Sequence, residues 1–203
     1  MKAEIQYLYF DLGNVLFSVD HQGAWTKTLK HCREEAMPIM ERFYDWGLII
    51  EHMIGGVSDS AFFKAMKSLI GFEEKAELLQ DFWEGVFHPI PERISQVEQL
   101  SKHYPVGVLS NISPVHSSYL EKHFPVMTHF RHRVYSWEVG FVKPREEIFA
   151  HAAKQCGYLP SEMLFIDDKL SHVEQARQLG WNALVVDPDS EMLEEINRFI
   201  SSR

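Results

Sequence analysis

Four groups of residues able to do chemistry stand where apolar runs end. Asp11 closes Leu8-Tyr9-Phe10 and opens Asp11-Leu12-Gly13-Asn14-Val15-Leu16; Ser110-Asn111 follows Val106 to Leu109; Lys143-Pro144 opens a helical pattern; Asp167-Asp168 follows Leu164-Phe165-Ile166. An acid directly after a buried strand, with glycine close behind, lies at the carboxyl edge of a sheet, where open α/β folds place ligands and reactive groups. Each group alone is an ordinary turn or helix cap. In this order, each at a junction, they form a joint signal for a site made of carboxylates, a hydroxyl and an ammonium.

The elements that must position these residues are legible as patterns. Near-continuous apolar runs at Ile5 to Phe10, Val106 to Leu109, Met163 to Ile166 and Ala183 to Val186 read as strands buried on both faces, as in a parallel sheet. Helical periodicity separates the later runs: Ile94, Val97 and Leu100 within Pro91 to His103, Ile148, Phe149 and Ala152 within Pro144 to Cys156, and Val173 and Ala176 within Leu170 to Leu179. A closing helix presents Met192, Ile196, Phe199 and Ile200. Alternating strands and helices predict an α/β doubly wound, Rossmann-like core.

Between the first two of these strands the rhythm breaks. About 70 residues, Asp20 to Pro89, show helix after helix and no good strand, too many for a simple connection. Met37, Met40, Phe43 and Tyr44 recur within Glu34 to Trp46, and Phe62, Phe63, Met66 and Ile70 within Asp59 to Ile70, with Ser58 as N-cap. The expected organisation is a core of residues 1–19 and 90–203 carrying a helical insertion, residues 20–89. Trp46, Phe82 and Trp83 read as packing residues of the insertion rather than ligand contacts, and Gly55-Gly56 as a turn within it.

Bulk properties narrow the class. The 203 residues suffice for one domain with an insertion. A formal charge of -9 and the lack of a basic stripe argue against nucleic acid. Acidity does not exclude a small phosphate, because net charge does not set the potential of a local site. No apolar run approaches the roughly 18 residues of a membrane-spanning helix, and the amino terminus does not read as a secretory signal. Cys32 and Cys156, far apart and without zinc-ligand spacing, read as reduced thiols of a cytoplasmic protein, monomer or homodimer.

The ordered set Asp11, Ser110, Lys143 and Asp167-Asp168 resembles the haloacid dehalogenase (HAD) superfamily along the whole chain. The insertion is similar to that superfamily's first cap type, and Gly55-Gly56-Val57-Ser58-Asp59-Ser60-Ala61-Phe62 looks like a turn and helix start from such a cap. Asp11-Leu12-Gly13-Asn14-Val15 looks closest to the branch containing α-D-glucose-1-phosphate phosphatase. The resemblance implies a phosphatase in which Asp11 attacks phosphorus to form an aspartyl phosphate. It implies Mg²⁺ held by Asp11, the Gly13 carbonyl and Asp168, with Asp167 acting directly or through water. Lys143 would supply positive charge at the transferring group, and Ser110 and the Asn111 N–H would bind phosphate oxygens. The expected substrate is a small phosphorylated metabolite, a sugar phosphate first.

One position departs from the pattern. Phosphatases of the superfamily carry an acid two residues after the nucleophile, where this chain has Gly13. General acid–base help is worth roughly 10² to 10⁴ in rate. Gly13 therefore leaves several readings open: an easy leaving group such as a sugar 1-phosphate or acyl phosphate; a replacement from Asp20, His21, His88, His116 or His172; 2-haloacid dehalogenation; or binding of a phosphorylated ligand or a protein without turnover. A halide leaves without a proton, but the superfamily's dehalogenases need no metal, whereas Asp167-Asp168 resembles an intact Mg²⁺ site.

Overall fold

The computed structural model describes residues 3–32, 47–187 and 190–202. Its centre is a parallel sheet of five strands, β1 (Tyr7–Phe10), β4 (Val106–Ser110), β5 (Phe130–Tyr135), β6 (Met163–Asp167) and β7 (Asn182–Val185), in the order β5-β4-β1-β6-β7. β1 lies in the middle, with Leu8 paired to Val106 on one side and to Leu164 on the other. The order reverses at β1, which makes the carboxyl ends of β1, β4 and β6 the switch point of the sheet.

β1, β4 and β6 are apolar at nearly every position because both faces are covered, whereas the edge strands β5 and β7 are partly exposed, which corrects the expectation that Ala183 to Val186 is buried on both faces. Leu8 and Phe10 face one layer, formed by α5 (Pro91–Leu100), α6 (Pro114–His123) and α10 (Met192–Ser201) through Val97, Leu100, Val115, Leu120, Met192 and Ile196. Tyr7 and Tyr9 face the other, formed by α8 (Glu146–Cys156) and α9 (Leu170–Gln178) through Ile148, Phe149, Ala152, Val173 and Ala176. The tyrosines reach carbonyl partners at Val106 and Ala152, at 3.2 and 2.9 Å. The expected helices and their apolar sets are thus observed, with ends shifted by the few residues that fraying allows.

Two short strands, β2 (Phe17–Val19) and β3 (Phe87–Pro89), pair antiparallel and form a neck where the chain leaves and rejoins the region beneath. Between them lie α1 (His21–Leu29), α2 (Leu48–Met53), α3 (Asp59–Ile70) and α4 (Ala76–Glu84). β3 corrects the expectation of no strand between Asp20 and Pro89: three residues that include a proline carry no usable periodicity. The helix expected over Glu34 to Trp46 lies outside the described residues. α3 begins at Asp59, with the Ser58 hydroxyl accepting from Ala61 N, and buries Phe62, Phe63, Met66 and Ile70.

β5 was not visible as an apolar run because Arg131, His132 and Arg133 interrupt it, as an edge strand permits. Pro144 is not the first residue of α8, which starts at Glu146 after Arg145. Cys32 and Cys156 are free thiols, each partly buried. No helix among the described residues is long and apolar enough to cross a membrane.

Gly107 in β4 is required by packing. A Cβ there would sit 2.6 Å from Tyr7 Oη and 2.7 Å from Tyr9 Cε1. Gly107→Ala should therefore lower the urea-unfolding free energy by about 1–3 kcal/mol through overpacking, whereas Ala at the open position Gly47 should not show that loss.

Candidate active site

The ends of β1, β4 and β6 bring the four groups together. Asp11 follows β1, its backbone N–H bonded to the Ile166 carbonyl at 2.9 Å. Its Oδ1 accepts from Leu12 N at 2.8 Å and from the Ser110 hydroxyl at 2.6 Å, and its Oδ2 lies 3.1 Å from Lys143 Nζ. The Lys143 ammonium also donates to the Leu109 carbonyl at 2.9 Å and to Asp167 Oδ2 at 2.6 Å. Asp11, Ser110, Lys143 and Asp167 are all buried.

Two acids flank one cation, and their titration reflects it. Burial pushes the Asp11 carboxyl up, and repulsion by Asp167 adds to this against the pull of Lys143. Burial also opposes ionisation of Asp167, but Lys143 and the hydrogen bond from His172 hold it well below the usual carboxylate range. Lys143 stays charged: burial works against it, and both aspartates outweigh that.

The surrounding loops add contacts that residue type alone did not suggest. The Asn111 side chain clasps the Lys143 backbone, donating to its carbonyl at 2.9 Å and accepting from its N–H at 2.6 Å. His172 Nδ1 stands 3.1 Å from both oxygens of Asp167, and Lys169 N donates to Oδ1 at 2.8 Å. Asp168 is less enclosed and accepts from Asn14 Nδ2 at 3.1 Å. Buried Arg93 donates to the Asn14 and Val15 carbonyls, fixing the loop beyond Asp11. Arg93 stands in the first turn of α5 without a motif, so only the fold reveals it.

Asp11, Asp167 and His172 offer ligand atoms within 4.8 Å of one another. Both Asp167 oxygens, however, are already engaged by Lys143, Lys169 N and His172. By contrast, the Gly13 carbonyl accepts no hydrogen bond among the described residues, since the turn uses Leu12 and Phe17 carbonyls. Asp11, that carbonyl and Asp168 are hard oxygen donors of the kind Mg²⁺ prefers.

Above this floor lies a cavity of about 570 Å³. Its wall carries Ile49, Met53, Phe62, Phe63, Trp83, Phe87 and Val115, interrupted by His21, His52 and His116. Trp83 packs as expected, 5.2 Å from Trp25, and also borders the cavity. Phe82 packs against Phe72 as expected, 6.3 Å between centroids, and Trp46 lies outside the described residues. A Cβ on Gly13 would meet Val19 Cγ2 at 3.4 Å and Phe87 Cε1 at 3.9 Å, ordinary contacts.

The histidines differ in what they can do. His116 Nε2 donates to the Trp83 carbonyl at 2.8 Å, so Nδ1 accepts from the Ser113 hydroxyl at 3.0 Å, and burial pulls its pKa down to about 4. His52 is held by Asp59 at 2.6 Å and stacks on Phe62. His88 is exposed on β3, outside the cavity lining.

Two outcomes follow. Lys143→Met leaves two buried carboxylates without a counter-charge and should cost about 3–5 kcal/mol in urea unfolding, while Asp11→Asn, which removes one of them, should unfold at an unchanged or higher urea concentration. His116 has a folded pKa of about 4 against an ordinary 6.5, so as pH falls through that window the unfolded chain takes up a proton that the folded chain refuses. Its contribution is full above pH 6.5 and is lost towards pH 4, by roughly 3 kcal/mol; the wild-type curve minus that of His116→Gln measures it.

Comparison with known proteins agrees with this architecture. The chain matches the haloacid dehalogenase-like hydrolases over residues 5–180. It is 26% identical over 205 residues to a D-ribitol-5-phosphate phosphatase of Bacteroides thetaiotaomicron, covering 98% of this chain and 100% of that one. A HAD family enzyme of the same organism, solved with magnesium and inorganic phosphate, superposes with a TM-score of 0.85 at 23% identity, covering 94% of this chain and 98% of the other. A HAD-like hydrolase of Porphyromonas gingivalis does so with a TM-score of 0.83 at 25% identity, covering 99% and 100%. The protein whose strand ends gather Asp11, Ser110, Lys143 and Asp167 belongs to the haloacid dehalogenase-like hydrolase family.

Proposed function

We propose that this hydrolase is a Mg²⁺-dependent phosphatase that cleaves a small sugar or polyol monophosphate through an aspartyl phosphate on Asp11. The observation that carries this reading is the arrangement at the cavity floor: a carboxylate 3.1 Å from a buried ammonium, with a hydroxyl at 2.6 Å on its other oxygen. Phosphate brought to this floor meets Lys143, which offsets its charge against that of the nucleophile. The Ser110 hydroxyl turns from Asp11 to a phosphate oxygen. Asn111 and Asp167 hold Lys143 from its backbone and from its ammonium end, so their role is positioning.

Asp11, the Gly13 carbonyl and Asp168 would hold Mg²⁺ directly, and Asp167 would act through its neighbours. A bound Mg²⁺ withdraws charge from the phosphoryl oxygens and the attacking carboxylate. The surplus of buried carboxylate over ammonium supports such a cation and disfavours the metal-free dehalogenase reading. Residues 20–89 serve in this reading as a cap over the core of residues 1–19 and 90–203, closing on the substrate and excluding water.

The substrate class rests on the wall. Among its described residues it carries aromatic and aliphatic groups and no lysine or arginine above the floor. This suits a leaving group that is uncharged and presents C–H faces to rings. The substrate named for the Bacteroides relative, a polyol phosphate, is of this kind.

Phosphate release from ribitol 5-phosphate, glucose 1-phosphate, acetyl phosphate and p-nitrophenyl phosphate is expected with Mg²⁺. It should disappear with EDTA and in Asp11→Asn. Absence of Mg²⁺-dependent release from every compound rejects the phosphatase, and EDTA-insensitive halide release from 2-haloacids replaces it with a dehalogenase.

A further inference from the structure

The floor of the cavity attends to phosphorus and leaves the departing oxygen unserved. With Gly13 in place of an acid, a phosphate on a primary alcohol would have to expel an alkoxide. The wall offers few groups able to give it a proton. Asp20 is committed to capping α1, its Oδ1 accepting from Gly23 N at 2.8 Å. His116 has both nitrogens engaged, His52 is tied to Asp59, His172 serves Asp167, and His88 lies outside the lining.

His21 differs from all of these. It lines the same cavity as Asp11 and Gly13, its ring is 5.9 Å from Trp83, and neither of its nitrogens has a hydrogen-bond partner among the described residues. It is the first residue of α1, directly after the β2–β3 neck, where Asp20 N donates to the Val86 carbonyl at 2.8 Å. Its backbone is therefore fixed while its ring nitrogens remain open to a ligand.

We propose that His21 is the acid–base catalyst that stands in for the side chain missing at Gly13. The proposal rests on the phosphatase reading above. In the first step an Asp11 oxygen forms its bond to phosphorus while the bond from phosphorus to the alcohol oxygen breaks. The electron pair stays on that oxygen, which takes the proton of the His21 imidazolium and departs as the alcohol. In the second, water attacks the aspartyl phosphate and gives a proton to the now neutral His21. The bond from phosphorus to Asp11 breaks, its electrons return to the carboxylate, and inorganic phosphate leaves.

The charged and titratable groups facing His21 are Asp20, which favours the imidazolium, and His116, neutral at ordinary pH. His21 is exposed as a whole, but desolvation of its ring outweighs Asp20 and lowers its titration from the ordinary 6.5. First-turnover cleavage of an alkyl phosphate should accordingly slow as pH rises through that lowered value, because the acid form is the donor.

The test compares first-turnover rates of wild type, His21→Gln and His88→Gln with Mg²⁺, using ribitol 5-phosphate and p-nitrophenyl phosphate. The nitrophenolate leaves without a proton. In His21→Gln the ratio of polyol to aryl rates should fall about 100-fold, and the aryl substrate should show a nitrophenolate burst because the aspartyl phosphate persists. His88→Gln should retain the wild-type ratio. An unchanged ratio in His21→Gln, whether both rates fall equally or neither falls, overturns the assignment with the phosphatase intact. Wild type inert towards both substrates overturns the phosphatase reading itself.

Discussion

The structure depends on a single buried ammonium. Lys143 has three N–H groups, and each has one partner: the Leu109 carbonyl, Asp11 and Asp167. Those partners belong to β4, the end of β1 and the end of β6, so one cation ties together the three strands that meet at the switch point. A buried charge of this kind is tolerable only when every member of its network is satisfied. Here the demand is met from both sides. Asp167 has Lys169 N and His172 besides Lys143, and Asp11 has Leu12 N and Ser110.

The network also dictates what surrounds it. The loop after Asp11 must turn sharply to return to the neck. Asn14 takes the left-handed conformation at φ 57°, which asparagine tolerates, and its side chain reaches Asp168. Arg93, buried beneath, satisfies the Asn14 and Val15 carbonyls that the turn leaves without backbone partners. The β2–β3 pairing then carries α1 and Phe87 to the cavity wall, so Asp11 and the wall that faces it are joined through one short, internally bonded neck.

The sequence made the parallel sheet legible because strands buried on both faces must be apolar throughout, and Tyr7 to Phe10, Val106 to Leu109 and Met163 to Ile166 are. It made Asp11, Ser110, Lys143 and the acidic pair legible because each stands at the end of such a run. β5 and β3 escaped because an edge strand and a three-residue neck owe their existence to partners rather than to their own pattern. The sides of Asn111, Arg93 and His172 escaped for a related reason. Their partners lie 32, 78 and 5 residues away, and nothing in an isolated asparagine, arginine or histidine specifies a carbonyl or a carboxylate on another loop. The division of labour within Asp167-Asp168 was likewise invisible: adjacent acids look equivalent until the chain buries one against Lys143 and leaves the other at the rim.

The charges of the cavity are divided by height. Lys143, Lys169, Asp11 and Asp168 line it at the strand ends, whereas the described wall above offers Trp83, Phe62, Phe63 and Phe87 and histidines whose pKa values burial has lowered. A single phosphate descending to the floor finds its counter-charge there. A second phosphate or a carboxylate on the same molecule would be pressed against rings and neutral imidazoles, losing water without gaining a cation, an arrangement that costs several kcal/mol. In the phosphatase reading proposed above, selectivity for one anionic group would arise from the absence of positive charge on the described wall as much as from its presence below. Burial against the same low-polarity wall disfavours the imidazolium form of His21, His52 and His116.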